Sequence, residues 1–476
     1  MKRAFGLLIV VALLGAGYGG SERDRTGAAG VGDSYFPRLG NGGYDVDHYS
    51  LDLAYDPAEG ELRGTVAIDA EATQPLESFH LDLAGMVVEA VTVDDEDARF
   101  AHVRGELVVT PARRVKKGRD FTVAVTYAGV PDTDVEDSLG IPIGWVEIEG
   151  GSYVLSEPNG AHTWYPVNDH PSDKATYDFR LTVPDPFVAV ANGVLTDRVA
   201  ADGSTTYVWD ADDPMASYLV EVAVGDFVLE DDGTVGDVQI RHAFARSLAA
   251  EGARAAERTP EMLEFYTEQF GPYPFDAYGV LVIDEELGVA LETQTLSLFG
   301  SDFASPAAEI IYAHEIAHQW FGNAVTPARW RDIWLNEGFA TYAEWLWSEH
   351  ADRTSVESSA EATYRELAAR GDELPPVLDP GADDLFNANV YGRGGLTLYA
   401  LRVEVGDDVF ADILRTYFDR FNGESVTTDD FVGVAEDVSG QQLDELFIDW
   451  LVELELPPFP KTASVNTGVA LIPTSG

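Results

Sequence analysis

Two histidines four residues apart open the stretch HEIAHQWFGNAVTPARWRDIWLNEGFATYAEW, residues 314–345, and Glu337 follows the second after eighteen intervening residues. On a helix, residues i and i+4 leave the same face about 6 Å apart, so His314 and His318 can share one cation while Glu315, one step round, points beside it. Two neutral imidazoles and the Glu337 carboxylate make a three-ligand set suited to one zinc ion per chain. The fourth position is left for water, whose pKa zinc brings towards about 7. Glu315 then stands where a general base would take that water's proton. The competing reading is a histidine pair hydrogen-bonded inside a core, and the helical setting together with the downstream glutamate weighs against it. A site with a third histidine ligand would need glycine at 321 and histidine at 324, where Phe321 and Ala324 stand, so the third ligand must be a carboxylate.

Positioning these groups requires two helices. Ser305-Pro306 is a helix start and Gly322-Asn323 a helix end, which predicts a helix over 306–321 that carries HEIAH. A second helix is predicted from Asp332 to His350, with Trp334, Gly338, Tyr342 and Trp345 as its inward stripe beside Glu337. Glu344, seven residues after Glu337, faces the same side and reads either as the group that orients a histidine ligand or as an ordinary surface acid, and Asp332 at the helix start is placed with it as a support of the metal site. His350 sits near a helix end, where a dipole role suffices. His162, His170 and His242 lack ligand spacing and are read as structural.

A chain of 476 residues is long enough for two domains around such a site. From Tyr44 to Arg246 the texture alternates, as in Tyr49, Leu51, Leu53 and Tyr55, then the turn DPAEG, then Leu62, Val66 and Ile68. That pattern predicts a mostly antiparallel sheet domain over 44–246. Helical periodicity with short strands predicts a helix-rich catalytic domain over 247–460, an α+β class overall, and a tail over 461–476. Residues 1–17, MKRAFGLLIVVALLGAG, read as an export signal cleaved after Gly17, which places the protein outside the cytoplasm as a secreted, periplasmic or cell-surface protein. That apolar run is too short for a permanent span, so no stable membrane insertion is expected after cleavage. Residues 18–43 read as a flexible linker. Tyr18 occupies the place of a lipid-bearing cysteine, and the chain has no cysteine at all, which excludes both lipid attachment there and disulfides. A formal charge of −53 repels nucleic acid, so no nucleic-acid partner is expected. The scarcity of lysine fits either a saline habitat or an ordinary well-solvated acidic surface.

HEIAHQWFGN, the eighteen-residue spacing to Glu337 and WLNEGFA together resemble the aminopeptidase N family of zinc metallopeptidases. The resemblance covers roughly 44–460 and implies a saddle-like sheet domain followed by a thermolysin-like catalytic domain, in a short form without the C-terminal helical domain of longer relatives. GVALETQT, 288–295, is similar to the family's exopeptidase signature, with Val289 in place of a usual glycine. It implies that Gly288 and Ala290 bind substrate along a strand edge and that Glu292 receives the substrate's free amine. LSEPNGAHTWYPVND, 155–169, implies a second amine-binding acid at Glu157, where epoxide-hydrolysing relatives carry glutamine. VYGRGG, 390–395, implies a catalytic tyrosine at Tyr391, with Arg393 where lysine is commoner. The implied activity is a zinc-dependent aminopeptidase that hydrolyses the N-terminal bond of peptides with a free amine. Two alternatives are a related peptidase or epoxide hydrolase of altered specificity and a catalytically dead binding scaffold. Retention of His314, Glu315, His318 and Glu337 weighs against the scaffold.

Overall fold

The computed structural model describes residues 25–136, 140–371 and 374–461. The expected export signal, residues 18–24 of the linker and residues 462–476 of the tail lie outside them. Tyr44–Asp56 (β1) pairs antiparallel with Glu61–Ala72 (β2) and parallel with Lys174–Pro184 inside an eight-stranded sheet whose other pairings are antiparallel. Alternation along β1 breaks once. Tyr44 and Val46 face inward, a bulge between Val46 and His48 shifts the phase, and Tyr49, Leu51, Leu53 and Tyr55 then face the core. A five-stranded sheet holds Gly151–Leu155 between Ile141–Ile148 and Val222–Gly225, and the chain leaving its buried end reaches Glu157.

The domain boundary differs from the sequence expectation. Strands Phe227–Val235 and Val238–Ala245, which alternation alone assigns to the first domain, belong to a mixed sheet with Val280–Val282 and Ser297–Phe299. Periodicity reports a strand but not the sheet it joins, so the catalytic half starts near Phe227. Its helices include Ala249–Ala255 (α1), Thr259–Phe270 (α2), Glu309–Ala317 (α3), Trp334–His350 (α4), Val356–Arg370 (α5) and Gly394–Val405 (α6). The α3 helix is shorter at both ends than predicted. Residues 306–308 form a 3-10 turn, with the Ser305 side chain accepting from the Ala307 N–H, and past His318 the chain loosens into wide turns. Helices α4 and α6 cross at contact distance, because a Cβ on Gly338 would come within 2.8 Å of the Gly394 Cα. Glycine at both positions lets the two backbones touch.

From Arg25 onward the expected flexible linker is instead packed against both halves. Thr26 bridges to Ser78, Ala29 to Asn41, and the Phe36 ring sits edge-on to Trp330 at 6.1 Å. The anchor is Asp33, which is buried and accepts from the N–H groups of Tyr35 (2.7 Å), Phe36 (3.2 Å) and Trp330 (3.1 Å). A short segment with little apolar periodicity thus gains its order from hydrogen bonds to a buried carboxylate, a signal that hydropathy does not carry.

Burial raises the Asp33 carboxyl, but hydrogen bonds from His170 and from those three N–H groups outweigh it and hold the pKa at about 2, below the ordinary 3.8. A lowered folded-state pKa contributes stability above pH 4 or so, and that contribution is lost as pH falls towards about 2. Asp33→Ala should therefore cost about 2 to 4 kcal/mol at neutral pH, measured by urea unfolding, with the gap from the parent narrowing in acid. Equal stability at neutral pH would contradict the anchoring role.

Candidate active site

Helix α3 presents His314 and Glu315, His318 caps its end, and α4 presents Glu337 in its first turn. The Glu337 Oε2 atom lies 3.3 Å from His314 Nε2 and 3.5 Å from His318 Nε2. Both rings are held from behind. His314 Nδ1 lies 2.6 Å from Glu344 Oε1, and His318 Nδ1 lies 3.1 Å from the Phe321 carbonyl oxygen. A carbonyl only accepts, so His318 donates from Nδ1, which leaves Nε2 as the nitrogen that faces Glu337. Gly322, at φ +129°, lets the chain fold over that ring, since a Cβ there would meet His318 Nδ1 at 3.1 Å.

A cavity of about 270 Å³ opens in front of these groups, lined by Glu157, Gly288 to Glu292, His314, Glu315, His318, Glu337, Glu344 and Tyr391. Its wall also contains Ile141, Leu155, Phe303, Ile311 and Phe386. Burial pushes Glu315 up to about 8, against the lowering pull of His314 and His318 and with the support of Glu292 and Glu337. Burial also raises Glu157, further lifted by Glu292, and it raises Glu292 despite His318. Glu337 goes the other way, to about 2, because the charge of His318 and hydrogen bonds from both imidazoles overcome its burial. Burial lowers His318, but Glu292 and Glu337 prevail and carry it to about 9.

This arrangement fits a zinc ion. Ligand atoms of His314, His318 and Glu337 lie within 4.8 Å of one another. Buried oxygens of Glu157 (Oε1), Glu292 (Oε1) and Glu315 (Oε2) have no hydrogen-bond partner among the described residues. Two imidazole nitrogens and a carboxylate oxygen, backed by Glu344 and a carbonyl, form the donor set of a catalytic zinc site. A divalent cation would supply the positive charge that this carboxylate-rich cluster calls for.

The remaining predicted residues fall as follows. Glu292 follows the strand Ala290–Leu291, which pairs with Phe299 and Leu298. Gly288, at φ +72°, donates its N–H to Asp302 Oδ2 at 3.0 Å. Tyr391 lies on a π-helical turn, Asn389–Arg393, with its ring stacked on His314 at 6.1 Å between centroids. Asp332 is the exception. Its carboxylate accepts from Thr428 Oγ1 (2.7 Å) and Arg329 Nε (2.8 Å), so it pins the approach to α4 and does not orient a histidine ligand. Arg393 keeps a charge at its position and donates to the main-chain carbonyls of Asp449, Trp450, Glu453, Leu454 and Glu455.

Two side chains of the HEIAHQWFGN stretch do more than sequence reading assigned. Gln319 Nε2 (3.0 Å) and Asn323 Nδ2 (2.7 Å) both donate to the Glu292 carbonyl, and Gln319 Oε1 accepts from the Thr295 N–H at 2.9 Å. They tie the cavity-lining segment 288–292 to the ligand helix. Their one sequence signal is that polar amides stand on either side of Trp320 and Phe321, where burial is expected.

Comparison with known proteins agrees with this geometry. The chain matches the peptidase M1 N-terminal domain over residues 45–219 and the peptidase family M1 domain over residues 254–450. It is 29% identical to Aminopeptidase M1-A of Oryza sativa subsp. japonica over 448 residues, covering 86% of this chain and 50% of that protein. It is 24% identical to a leucyl aminopeptidase of Saccharolobus solfataricus, covering 87% of this chain and 54% of the relative. The chain thus spans about half the length of these curated relatives. A solved M1 zinc metallopeptidase from Deinococcus radiodurans superposes with a TM-score of 0.85 at 35% identity, covering 91% of this chain and 99% of that one. A mutant of the Deinococcus enzyme bound to a Tyr-Ser-Ala substrate gives 0.86 at the same identity, over 91% of this chain and 100% of the other. With both halves matched in order and the ligand triad, its supporting carboxylate and the segment 288–292 in one cavity, the chain belongs to the M1 family of zinc metallopeptidases.

Proposed function

We propose that the protein is an aminopeptidase that removes N-terminal residues from peptides carrying a free amine. The observation that carries this reading is the pair Glu157 and Glu292, two buried carboxylates that reach the cavity beside the ligand triad from different halves of the chain. Such a pair suits a substrate ammonium, and an endopeptidase has no use for it. The aminopeptidase names of the rice and archaeal relatives lend support.

Zinc, when bound, supplies a Lewis acid that makes a water nucleophile available at neutral pH. His314, His318 and Glu337 would hold it. Glu315 takes the water's proton as the scissile carbonyl is attacked and passes a proton to the leaving amine. Tyr391 donates from its hydroxyl to the developing oxyanion, a contact of the kind whose loss costs about 3 to 4 kcal/mol. Glu157 and Glu292 accept hydrogen bonds from the ammonium and fix the register at one residue before the scissile bond. The strand at Gly288 and Ala290 pairs with the extended peptide.

Residues 1–17 support export, with the enzyme working on peptides outside the cytoplasm. N-terminal sequencing of the mature chain from an extracytoplasmic fraction should begin near Tyr18, and a full-length cytoplasmic chain would refute export. The metal site makes a separable pair of expectations. Glu337→Gln should lose bound zinc and activity together, whereas Glu315→Gln should keep one zinc per chain and lose about 100-fold or more in turnover. Metal content and steady-state rates on one aminoacyl amide read both, and an active Glu315→Gln enzyme would refute its role as base. Acetylating the substrate amine leaves two desolvated carboxylates facing a neutral amide, which should slow cleavage by at least about 100-fold. Mass spectrometry of the fragments checks this, and comparable rates or dominant internal cuts would indicate an endopeptidase.

A further inference from the structure

The sheet domain contributes more to this cavity than Glu157. Lys174, one of five lysines in the chain, begins the strand Lys174–Pro184 and extends across to the loop that follows the ligand helix. Its Nζ donates to the carbonyls of Asn323 at 2.8 Å and Ala324 at 2.9 Å. Neither carbonyl needs it for satisfaction, because Thr326 Oγ1 donates to Asn323 O at 2.8 Å and the Gly423 N–H to Ala324 O at 2.9 Å. What the lysine adds is a bridge over two consecutive carbonyls from the opposite domain, which sets the orientation of the peptide between them. The same residue, Asn323, donates its side-chain amide to the Glu292 carbonyl at 2.7 Å and its N–H to the His318 carbonyl at 3.0 Å. Burial draws the ammonium down to about 7, with Glu424 and Asp213 acting in the opposite sense, so the contact is kept against a desolvation cost.

We propose that Lys174 is a positioning residue for the amine-binding end of the cavity, fixing Glu292 relative to Glu157 through Asn323. The proposal rests on the aminopeptidase reading. Glu157 belongs to the sheet domain and Glu292 to the catalytic half, so the gap that receives the ammonium depends on how the two halves are registered. Lys174 links the halves one residue away from Glu292. Tyr218, whose hydroxyl donates to the Gly322 carbonyl at 3.0 Å, holds the neighbouring peptide from the same side.

Lys174→Met removes both links and keeps an unbranched apolar stem. On an aminoacyl amide it should raise KM about tenfold or more, leave kcat within about threefold, and retain one zinc per chain. A lysine that merely stabilises the fold would lower the thermal midpoint and leave KM unchanged, and that result overturns the proposal. If Lys174→Met does not accumulate as folded protein, Lys174→Gln is read by the same criterion. The parent enzyme is assayed alongside. A parent inactive on free-amine substrates overturns the aminopeptidase reading itself, whereas an active parent with an unchanged KM in the variant overturns only the role of Lys174.

Discussion

Repulsion among carboxylates is the constraint around which this protein is arranged. Glu157, Glu292, Glu315 and Glu337 converge on one cavity, each of them buried. Two like charges 4 Å apart oppose each other by about 4 kcal/mol at an effective dielectric of 20. His314 and His318 answer only part of that charge. The cluster therefore calls for added positive charge, and burial raises the carboxyls of Glu157, Glu292 and Glu315. A divalent cation supplies part of that charge, and on the proposed aminopeptidase reading a substrate ammonium supplies more, so that metal binding and substrate binding become two parts of one neutralisation.

Holding such a cluster together calls for rigidity from several directions. Helix α4 brings Glu337 and Glu344 to opposite sides of His314, so a single helix supplies both a ligand and the group that orients another ligand. The Gly338 and Gly394 contact lets α6 approach α4 closely, and the turn that carries Tyr391 runs directly into α6. From the sheet side, Asn192 Nδ2 donates to the Gln294 carbonyl at 2.7 Å and Thr295 Oγ1 accepts from the Gly193 N–H at 2.8 Å, which fastens the chain just beyond Glu292. The site is an interface feature, and neither half holds all of it.

The parts legible in sequence were those set by short-range geometry. The i, i+4 histidines, the neighbouring glutamate and the stripe around Glu337 need only helical spacing to be placed, and Glu344 follows from the same period. Family resemblance supplied Glu157, Glu292 and Tyr391, which come together only through tertiary packing. Illegible were features whose partner lies far along the chain. Nothing local distinguishes the Asp33 carboxylate from any other loop acid until the Trp330 N–H arrives, 297 residues later. The same holds for Asp332, expected to support the metal site, while Thr428 and Arg329 claim its carboxylate. Strands 227–245 alternate like their predecessors, yet their hydrogen bonds go to the other sheet.

Arg393 extends the reach of the site in another direction. Its guanidinium collects five carbonyls from 449–455, late in the catalytic half, while its own backbone belongs to the turn bearing Tyr391. That stretch thereby acts as a latch on the turn that holds Tyr391. A protease clipping near Leu454, which is exposed, would leave every catalytic side chain covalently intact and still loosen the tyrosine, so damage at the periphery would be read out at the centre as lost turnover.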